Sequence, residues 1–261
     1  MPIPDNHLSA SRVNTFMRCG MQYYFRYIDG LISPPSGALA LGSSFHGTIG
    51  WDHAQKVETG ANMPLDSYLD HFSDDWQERK HEVCWWEGEK EGAFKDQGYG
   101  LLEAYYKEIA LEVQPASVER KFEIEFANKD WSFVGYIDLV DEDDVIVEAK
   151  TIKSTPPRPK ADHMLQTVGY TTGYRSEGHV ELESRIDYAV KLKKPKIVSY
   201  PFKVSDSEID FFLGQVARVA MMIENEMFLN SRHLSPFPCS HKFCGYSSRC
   251  EQVLGGIVPE R

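Results

Sequence analysis

The clearest hydrophobic pattern in the chain lies near its middle. From Val118 to Phe126, apolar and charged residues alternate, which is typical of a strand with one buried face. Two further strands are predicted behind it, at Trp131–Val140 and Val145–Thr151, with polar turns at 127–130 and 141–144. Because the last of these strands is short and largely apolar, we expect it to be central in its sheet.

Helical patterns flank this strand-rich centre. The predicted elements before it are a helix at Leu8–Ile28 capped by Ser9 or Ser11, a helix beginning near Ala40, and an acidic helical region at 65–112. Those after it are a helix at Ala161–Ser176, strands at Arg185–Lys193 and Ile197–Val204, and a helix at Ile209–Asn230 behind a Ser205–Glu208 capping box. Strands grouped between helices in this way predict an α+β fold.

The length of the chain limits its number of domains, and its net charge limits the partners it is expected to bind. With 261 residues, the chain is long enough to bury a sizeable core, and one elaborated domain is the simplest interpretation. The formal net charge of −11 argues weakly against a nucleic-acid-binding protein. Its distribution weakens that objection, because acidic residues concentrate between Asp66 and Glu91 while basic residues cluster at 150–160 and 191–196.

The sequence shows neither a signal peptide nor a membrane span. Its N-terminus lacks a basic start followed by an apolar run, and the best apolar run, Phe211–Ile223, is interrupted by Gln215 and Arg218. We therefore expect a cytoplasmic protein of a bacterial, archaeal or phage-infected cell, with no membrane partner. Five cysteines in such a chain do not suggest a disulfide framework. Three of them cluster near the C-terminus, which favours a metal or cluster site.

Three residues with complementary chemistry lie on the second and third predicted strands. Asp138 lies late in one strand, and Glu148 and Lys150 lie two residues apart in the next, on one face. A hairpin brings Asp138 beside them. Two carboxylates and an ammonium suit phosphodiester hydrolysis, because carboxylates hold a divalent metal and a lysine orients the attacking water. A surface salt bridge is the alternative explanation of this spacing, and Glu119 on the first strand is a further, assisting candidate.

The surroundings of this set resemble the nuclease motifs of the RecB family, within the PD-(D/E)XK nucleases. Gly135–Val140 and Val145–Thr151 correspond to the family's Gly-x-x-Asp motif and its apolar strand ending in Asp or Glu, any residue, and Lys. Leu41–His46 is similar to the segment whose histidine ligates metal, and Gln166 and Tyr170 match a Gln-x3-Tyr helix.

The resemblance has consequences for the fold and for the site. It implies a restriction-endonuclease-like mixed central sheet flanked by helices. The implied catalytic residues are Asp138, Glu148, Lys150, Gln166 and Tyr170. The implied ligands of Mg²⁺ or Mn²⁺ are His46, Asp138, Glu148 and the carbonyl oxygen of Ala149.

Four cysteines extend the resemblance to the iron–sulfur nucleases, namely AddB and the CRISPR-associated Cas-four exonucleases. The matching residues are Cys19, Cys239, Cys244 and Cys250. In those nucleases, one N-terminal and three C-terminal cysteines ligate a 4Fe–4S cluster. The resemblance therefore implies a cluster that joins the N- and C-terminal segments. A zinc site that includes His241 is the alternative, and Cys84 matches no ligand of the family.

These resemblances together imply a metal-dependent DNA exonuclease that acts on single-stranded ends. The implied parts of the chain are N-terminal helices at 1–50, an acidic helical lobe at 51–114, a nuclease core at 115–230 and a cysteine-rich tail at 231–261. The alternative is a DNA-end recognition subunit that works with an integrase or a helicase.

Overall fold

The computed structural model describes residues 1–232, 239–241 and 243–258, so 233–238, 242 and 259–261 of the predicted tail lie outside the described residues. The α-helices are α1 (Ala10–Arg18), α2 (Gly20–Tyr23), α3 (Gly37–Thr59), α4 (Leu65–Arg79), α5 (Glu91–Tyr105), α6 (Ala161–Ser176), α7 (Asp206–Glu224) and α8 (Ser247–Leu254). The strands are β1 (His7–Leu8), β2 (Pro115–Glu125), β3 (Ser132–Asp141), β4 (Val145–Ile152), β5 (Glu183–Val190) and β6 (Lys196–Phe202). Short 3-10 segments lie at Pro4–Asn6 and Lys80–Glu82, and π-helical segments at Tyr24–Ile28 and Tyr106–Ala110. None of the helices in these described ranges combines the length and the apolarity that a bilayer crossing requires.

The strands form a mixed six-stranded sheet with the order β1-β3-β4-β5-β6, and β2 pairs with β3. Strands β3 and β4 are antiparallel, β4 and β5 are parallel, and β5 and β6 are antiparallel. Strand β4 is central, as its apolar sequence predicts, and its residues 145–149 are buried. Helices α3 and α6 both contact β4. The predicted α+β fold with a central mixed sheet flanked by helices is confirmed.

Contacts within the chain group its residues into two compact units. The first comprises residues 1–34, 123–134 and 207–261, and the second comprises 35–122 and 135–206. Strands β2 and β3 each contribute residues to both. The units therefore follow packing rather than chain order.

In the first unit, a helix predicted as continuous is interrupted. Helix α1 begins behind Ser9, whose side chain accepts a hydrogen bond from the backbone N–H of Arg12, as an N-cap does. At Cys19 the backbone is extended, with φ −166° and ψ 112°, so the predicted helix over 8–28 splits into α1 and α2. The segment after Cys19 then packs against α8 through an apolar cluster of Met21, Phe25, Tyr246 and Cys250.

The second unit has a large aromatic core among α3, α4 and α5. Its fully buried members include Tyr68, Phe72, Trp76 and Leu101. Burial of a fully apolar side chain such as Phe72 or Leu101 contributes about 1.5–3 kcal/mol by removing it from water. At the end of α3, Lys56 Nζ donates hydrogen bonds to the carbonyl oxygens of Ala110, Leu111 and Val113. These bonds satisfy the last carbonyls of the segment before β2 and fix α3 against it.

Phe122, the last residue of β2 in the second unit, is accommodated by two glycines. A Cβ atom on Gly173 would lie 2.2 Å from Cδ2 of the ring, and one on Gly135 would lie 2.4 Å from its Cζ. The ring also meets Tyr170 edge-on, with 6.3 Å between centroids. The absence of side chains at both positions therefore lets α6 and β3 approach β2 closely.

Replacing Gly173 with alanine is expected to destabilise the fold, because the added methyl group overlaps a buried ring in a close-packed core. We expect the free energy of unfolding to fall by about 1–3 kcal/mol, measured by urea denaturation. Gly92→Ala in α5 is the matched control, since an added methyl group there meets nothing within 4 Å. Equal losses in the two variants would contradict the proposed role of Phe122.

Candidate active site

The β3–β4 hairpin brings the two predicted carboxylates together. Leu139 pairs with Val147 and Val140 with Ile146, so continuing the register by one residue sets Asp138 opposite Glu148. Lys150 lies two residues further along β4 and therefore on the same face as Glu148. The prediction that these three side chains share one face rests on the period of a strand, and the structure brings them together.

Helix α3 adds a histidine to this pair of carboxylates. His46 Nε2 lies 2.6 Å from Asp138 Oδ2. His46, Asp138 and Glu148 each offer one ligand atom, and the three atoms lie within 4.8 Å of one another. Ala149 lines a cavity together with His46 and Asp138. The four residues implied as metal ligands thus lie in one place, and we call them the metal-binding set.

Glu148 is the buried member whose charge is hardest to explain without a cation. Its side chain is 0% exposed, and neither carboxylate oxygen accepts a well-directed hydrogen bond from the described residues. Lys150 Nζ forms an ion pair with Glu148 Oε1. Burial, and after it the neighbouring Asp138, raises the pKa of Glu148 to about 7. The unused acceptor capacity of Glu148 beside Asp138 fits a divalent cation, because hard cations take oxygen ligands.

The neighbouring charges set the protonation of the other groups. Burial opposes the charge on His46, but Asp138, by its charge and its hydrogen bond, raises the pKa of His46 to about 9. Burial also opposes ionisation of Asp138, yet His46 and Lys150 lower its pKa. Burial likewise opposes the positive charge of Lys150, but Glu148 and Asp138 raise its pKa. Asp138, His46 and Lys150 are therefore charged groups in a largely apolar surround, which costs stability unless each charge is compensated.

Helix α6 orients Asp138 from the opposite side. Tyr170 OH donates a hydrogen bond of 2.8 Å to Asp138 Oδ1, and Gln166 Nε2 donates one of 2.6 Å to Tyr170 OH. Burial, and then the charge of Glu148, raises the pKa of Tyr170 well above its ordinary value, so the hydroxyl remains a donor. The predicted Gln-x3-Tyr pair thus lies at the set and holds one oxygen of Asp138, while His46 contacts the other.

Glu119 on β2 is a member of the site to which the sequence gives little weight. Its Oε1 lies 3.9 Å from His46 Nδ1, and its backbone has φ +50°, a left-handed conformation unusual for a residue in a strand. Burial, and then Asp138, raises the pKa of Glu119. Strand alternation assigns Glu119 to the polar face, but it does not reveal the local backbone turn. Such outliers cluster at functional sites.

The four predicted cluster cysteines lie around one cavity in the first unit. Cys19, Cys239, Cys244 and Cys250 all line it. Burial comes first among the causes that raise the pKa of Cys239 and Cys244, and charge on the other cysteines of the set raises it further. Within the described ranges, however, no three of the sulfur atoms lie within 4.8 Å of one another.

The surroundings of the cysteine cavity bear on the choice of metal. His241, the candidate zinc ligand, has Nδ1 3.0 Å from the Ser247 hydroxyl and Nε2 3.3 Å from Glu251 Oε1. Both ring nitrogens therefore already have partners. Arg232 donates a hydrogen bond of 3.5 Å to Cys250 Sγ, which would compensate negative charge on the thiolates. Cys84, in the second unit, is exposed and lies outside this group.

Comparison with known proteins assigns the chain to a family. The model of the PD-(D/E)XK nuclease superfamily matches residues 7–251, nearly the whole chain. The chain belongs to the PD-(D/E)XK nuclease superfamily, whose members depend in general on divalent metals. No curated protein matches it. The superfamily prediction is confirmed, whereas the finer resemblance to RecB, AddB or the Cas-four exonucleases stays a prediction.

Three solved structures are similar to this chain at low sequence identity. A candidate exonuclease from Eubacterium rectale is 15% identical, with a TM-score of 0.58 over 87% of this chain and 85% of that chain. SSO0001 is 14% identical, with a TM-score of 0.46 over 97% of this chain and 89% of that one. LHK-Exo in complex with dAMP is 14% identical, with a TM-score of 0.33 over 71% and 93% of the two chains. At 15% identity, the first of these likenesses shows the fold alone.

A divalent cation is expected to stabilise the protein through Glu148. Mn²⁺ at about a hundredfold its dissociation constant should add about 2.7 kcal/mol to the free energy of unfolding. That gain corresponds to a rise of several degrees in Tm, measured by calorimetry. Glu148→Gln removes the anionic ligand and should abolish most of the rise. The control is Glu142→Gln on the exposed β3–β4 turn, and an equal rise in all three proteins would contradict the assignment.

Proposed function

We propose that this protein is a divalent-metal-dependent deoxyribonuclease that hydrolyses phosphodiester bonds at the metal-binding set. The observation that supports this most strongly is the convergence of His46, Asp138 and Glu148 within 4.8 Å beside Lys150. A nuclease superfamily fold with an incomplete set would favour a binding protein. Here every residue of the set is present, and each has a chemical role.

The roles follow from the contacts. When bound, a divalent cation polarises a phosphodiester and lowers the pKa of a water molecule. Lys150 keeps its proton because two carboxylates raise its pKa, so it holds the attacking water by donation and offsets negative charge at the phosphate. Tyr170 and His46 fix the two oxygens of Asp138, which prevents that carboxylate from rotating. Glu119 Oε1 lies 3.9 Å from His46 Nδ1 and adds negative charge beside the ring.

The proposed substrate is single-stranded DNA, degraded from an end. Its support is the order of motifs along the chain, namely His46, Asp138, Glu148–Lys150 and Gln166–Tyr170, which is the order in the RecB-like exonucleases. The four cysteines at the two ends of the chain add to that likeness and point to AddB and the Cas-four exonucleases. We place the protein with these iron–sulfur nucleases on that basis.

Lys150→Ala is expected to lower the rate of DNA cleavage by about 10²–10³-fold, because it removes a charged donor at the reacting phosphate. The assay uses single-stranded DNA labelled at either end, with Mn²⁺, Mg²⁺ or EDTA. Release of single labelled nucleotides from one end establishes exonuclease action and gives its polarity. Lys203→Ala is the matched control, because Lys203 is an exposed lysine beyond the end of β6.

Two results would overturn the nuclease assignment. Cleavage that survives in the Lys150 variant would show that the activity comes from another site or another protein. A well-folded wild type that binds Mn²⁺ but cleaves no DNA would favour the alternative, a DNA-end recognition subunit of an integrase or helicase complex.

The cysteine cavity is proposed to hold a structural 4Fe–4S cluster. A single zinc with Zn–S bonds of about 2.3 Å requires its sulfur ligands about 3.8 Å apart in a tetrahedron. No three of the described sulfur atoms lie within 4.8 Å of one another, and both nitrogens of His241 have other partners. Four thiolates around one cavity suit a larger, cubane-type centre. Bound there, it would tie Cys19 to the C-terminal segment.

Protein purified without oxygen is expected to contain about four irons per chain and to show the visible absorbance of an iron–sulfur cluster. Cys250→Ser should lose both signals and unfold at a lower temperature. Cys84→Ser is the control, since this exposed thiol lies outside the cavity, and it should keep both. Zinc at about one per chain in place of iron would refute the cluster and restore the zinc alternative.

A further inference from the structure

Two basic stretches that are separate in sequence form one surface in the second unit. The loop between β4 and α6 carries the exposed residues Lys153, Arg158 and Lys160. The turn between β5 and β6 carries Lys191, Lys193 and Lys194. The backbone N–H of Lys191 donates a hydrogen bond of 2.8 Å to the carbonyl oxygen of Ile152. Because β4 and β5 are parallel neighbours, this bond joins the loop and the turn where the two strands end.

The loop is held in place by two tyrosines of the sheet. Tyr188 OH accepts a hydrogen bond of 3.0 Å from the backbone N–H of Lys160. Tyr200 OH donates one of 2.5 Å to the carbonyl oxygen of Pro156. Prolines at 156, 157 and 159 restrict the backbone further. The basic side chains therefore project from a preorganised loop, which reduces the entropy lost when a ligand binds.

Three lysines of this surface lie close enough for their charges to act on one another. Burial, and then the charges of Lys153 and Lys160, lowers the pKa of Lys191 to about 8. Among the described residues, no acidic group acts on Lys191 in the opposite direction. We call Lys153, Lys160 and Lys191 the basic surface. Concentrated positive charge of this kind is offset when an anion binds.

The basic surface adjoins Lys150 at Tyr188, which lies opposite Lys150 in the pairing of β4 and β5. Burial lowers the pKa of His163 to about 4; among the neighbouring charges, Asp162 raises it, and Lys150 and Lys160 lower it. His163 Nδ1 lies 2.9 Å from Tyr188 OH, the same hydroxyl that anchors Lys160. The loop and the turn that carry these lysines therefore begin beside Lys150, where β4 and β5 end.

We propose that the basic surface binds the phosphate backbone of the single-stranded DNA that is cleaved at the metal-binding set, and this inference rests on the proposed nuclease function. Phosphates adjacent to the one at Lys150 would meet Lys160 and then Lys153 and Lys191. Contacts of this kind position a strand without reading its bases. They also explain how a protein with a net charge of −11 attracts DNA at one place.

The test measures binding of fluorescein-labelled oligothymidylate, and of a mixed-sequence oligonucleotide, in EDTA so that no cleavage occurs. The full-length variant Lys153→Gln/Lys160→Gln/Lys191→Gln should lose about 2 from the slope of log affinity against log salt, because each phosphate contact contributes about 0.7. Binding near 0.1 M salt should then weaken on the order of a hundredfold, equally for both sequences, with little change near 1 M. The control is Lys107→Gln/Lys203→Gln, which removes two exposed lysines elsewhere in the second unit.

Cleavage of the small diester bis(p-nitrophenyl) phosphate with Mn²⁺ separates the two proposals. The triple variant should cleave it at the wild-type rate, because the diester is too short to reach the basic surface. An unchanged salt slope in the triple variant, or an equal loss in the control, would overturn the basic surface while leaving the nuclease function intact. If the wild type cleaves neither the diester nor DNA, the nuclease function fails. The single variants Lys153→Gln and Lys160→Gln should each lose about 0.7 of the slope, which provides the same test if the triple variant does not fold.

Discussion

The second unit is arranged around the repulsion between two neighbouring carboxylates in the protein interior. The two carboxylates lie within reach of one cation. Asp138 and Glu148 face each other across the β3–β4 hairpin, and Glu148 is fully buried. Their mutual repulsion and their loss of water cost stability unless opposite charge is supplied. Lys150 supplies part of it, and protonated His46 adds to it while no metal is bound. A divalent cation ligated by neutral His46 would replace that proton and supply the rest. The demand for compensation thus explains both the composition of the site and its proposed chemistry.

The helices around the metal-binding set position its side chains through contacts that do not involve buried charge. Helix α3 carries His46, and Lys56 on the same helix is anchored to three carbonyl oxygens before β2. Helix α6 carries Tyr170, and its approach to β2 depends on Gly173 beside Phe122. The aromatic core among α3, α4 and α5 contributes stabilisation by burying apolar surface. A polar site that destabilises the fold is therefore set on helices that apolar contacts fix in place.

At the basic surface and the cysteine cavity too, neutral contacts hold the backbone while charged or ionisable groups line the site. At the basic surface, Tyr188 and Tyr200 hold the loop while its lysines repel one another. At the cysteine cavity, an apolar cluster packs around Cys250 while Arg232 donates to its sulfur. In each place, neutral contacts determine the backbone, and the charged groups are left available for a ligand. Preorganisation of this kind reduces the loss of conformational entropy when a ligand binds to these side chains and loops.

The sequence by itself determined the features that depend on short-range periodicity. The alternation of a strand is enough to set Glu148 and Lys150 on one face, and one helical turn is enough to relate Gln166 to Tyr170. Strand β4 was predictable as central because it is short and largely apolar. These inferences hold because the spacing of side chains along an element is a property of its backbone.

Tertiary structure alone decided what depends on contacts between distant segments. Periodicity does not reveal that His46 reaches Asp138, which only the family resemblance implied. The sequence also does not reveal that Glu119 adopts φ +50° or that the predicted first helix breaks at Cys19. It also does not reveal that the turn at Lys191 lies against the end of β4. Local propensities are similar for many arrangements, and the choice among them is made by packing and by the pairing of buried charges, which join residues far apart in the chain.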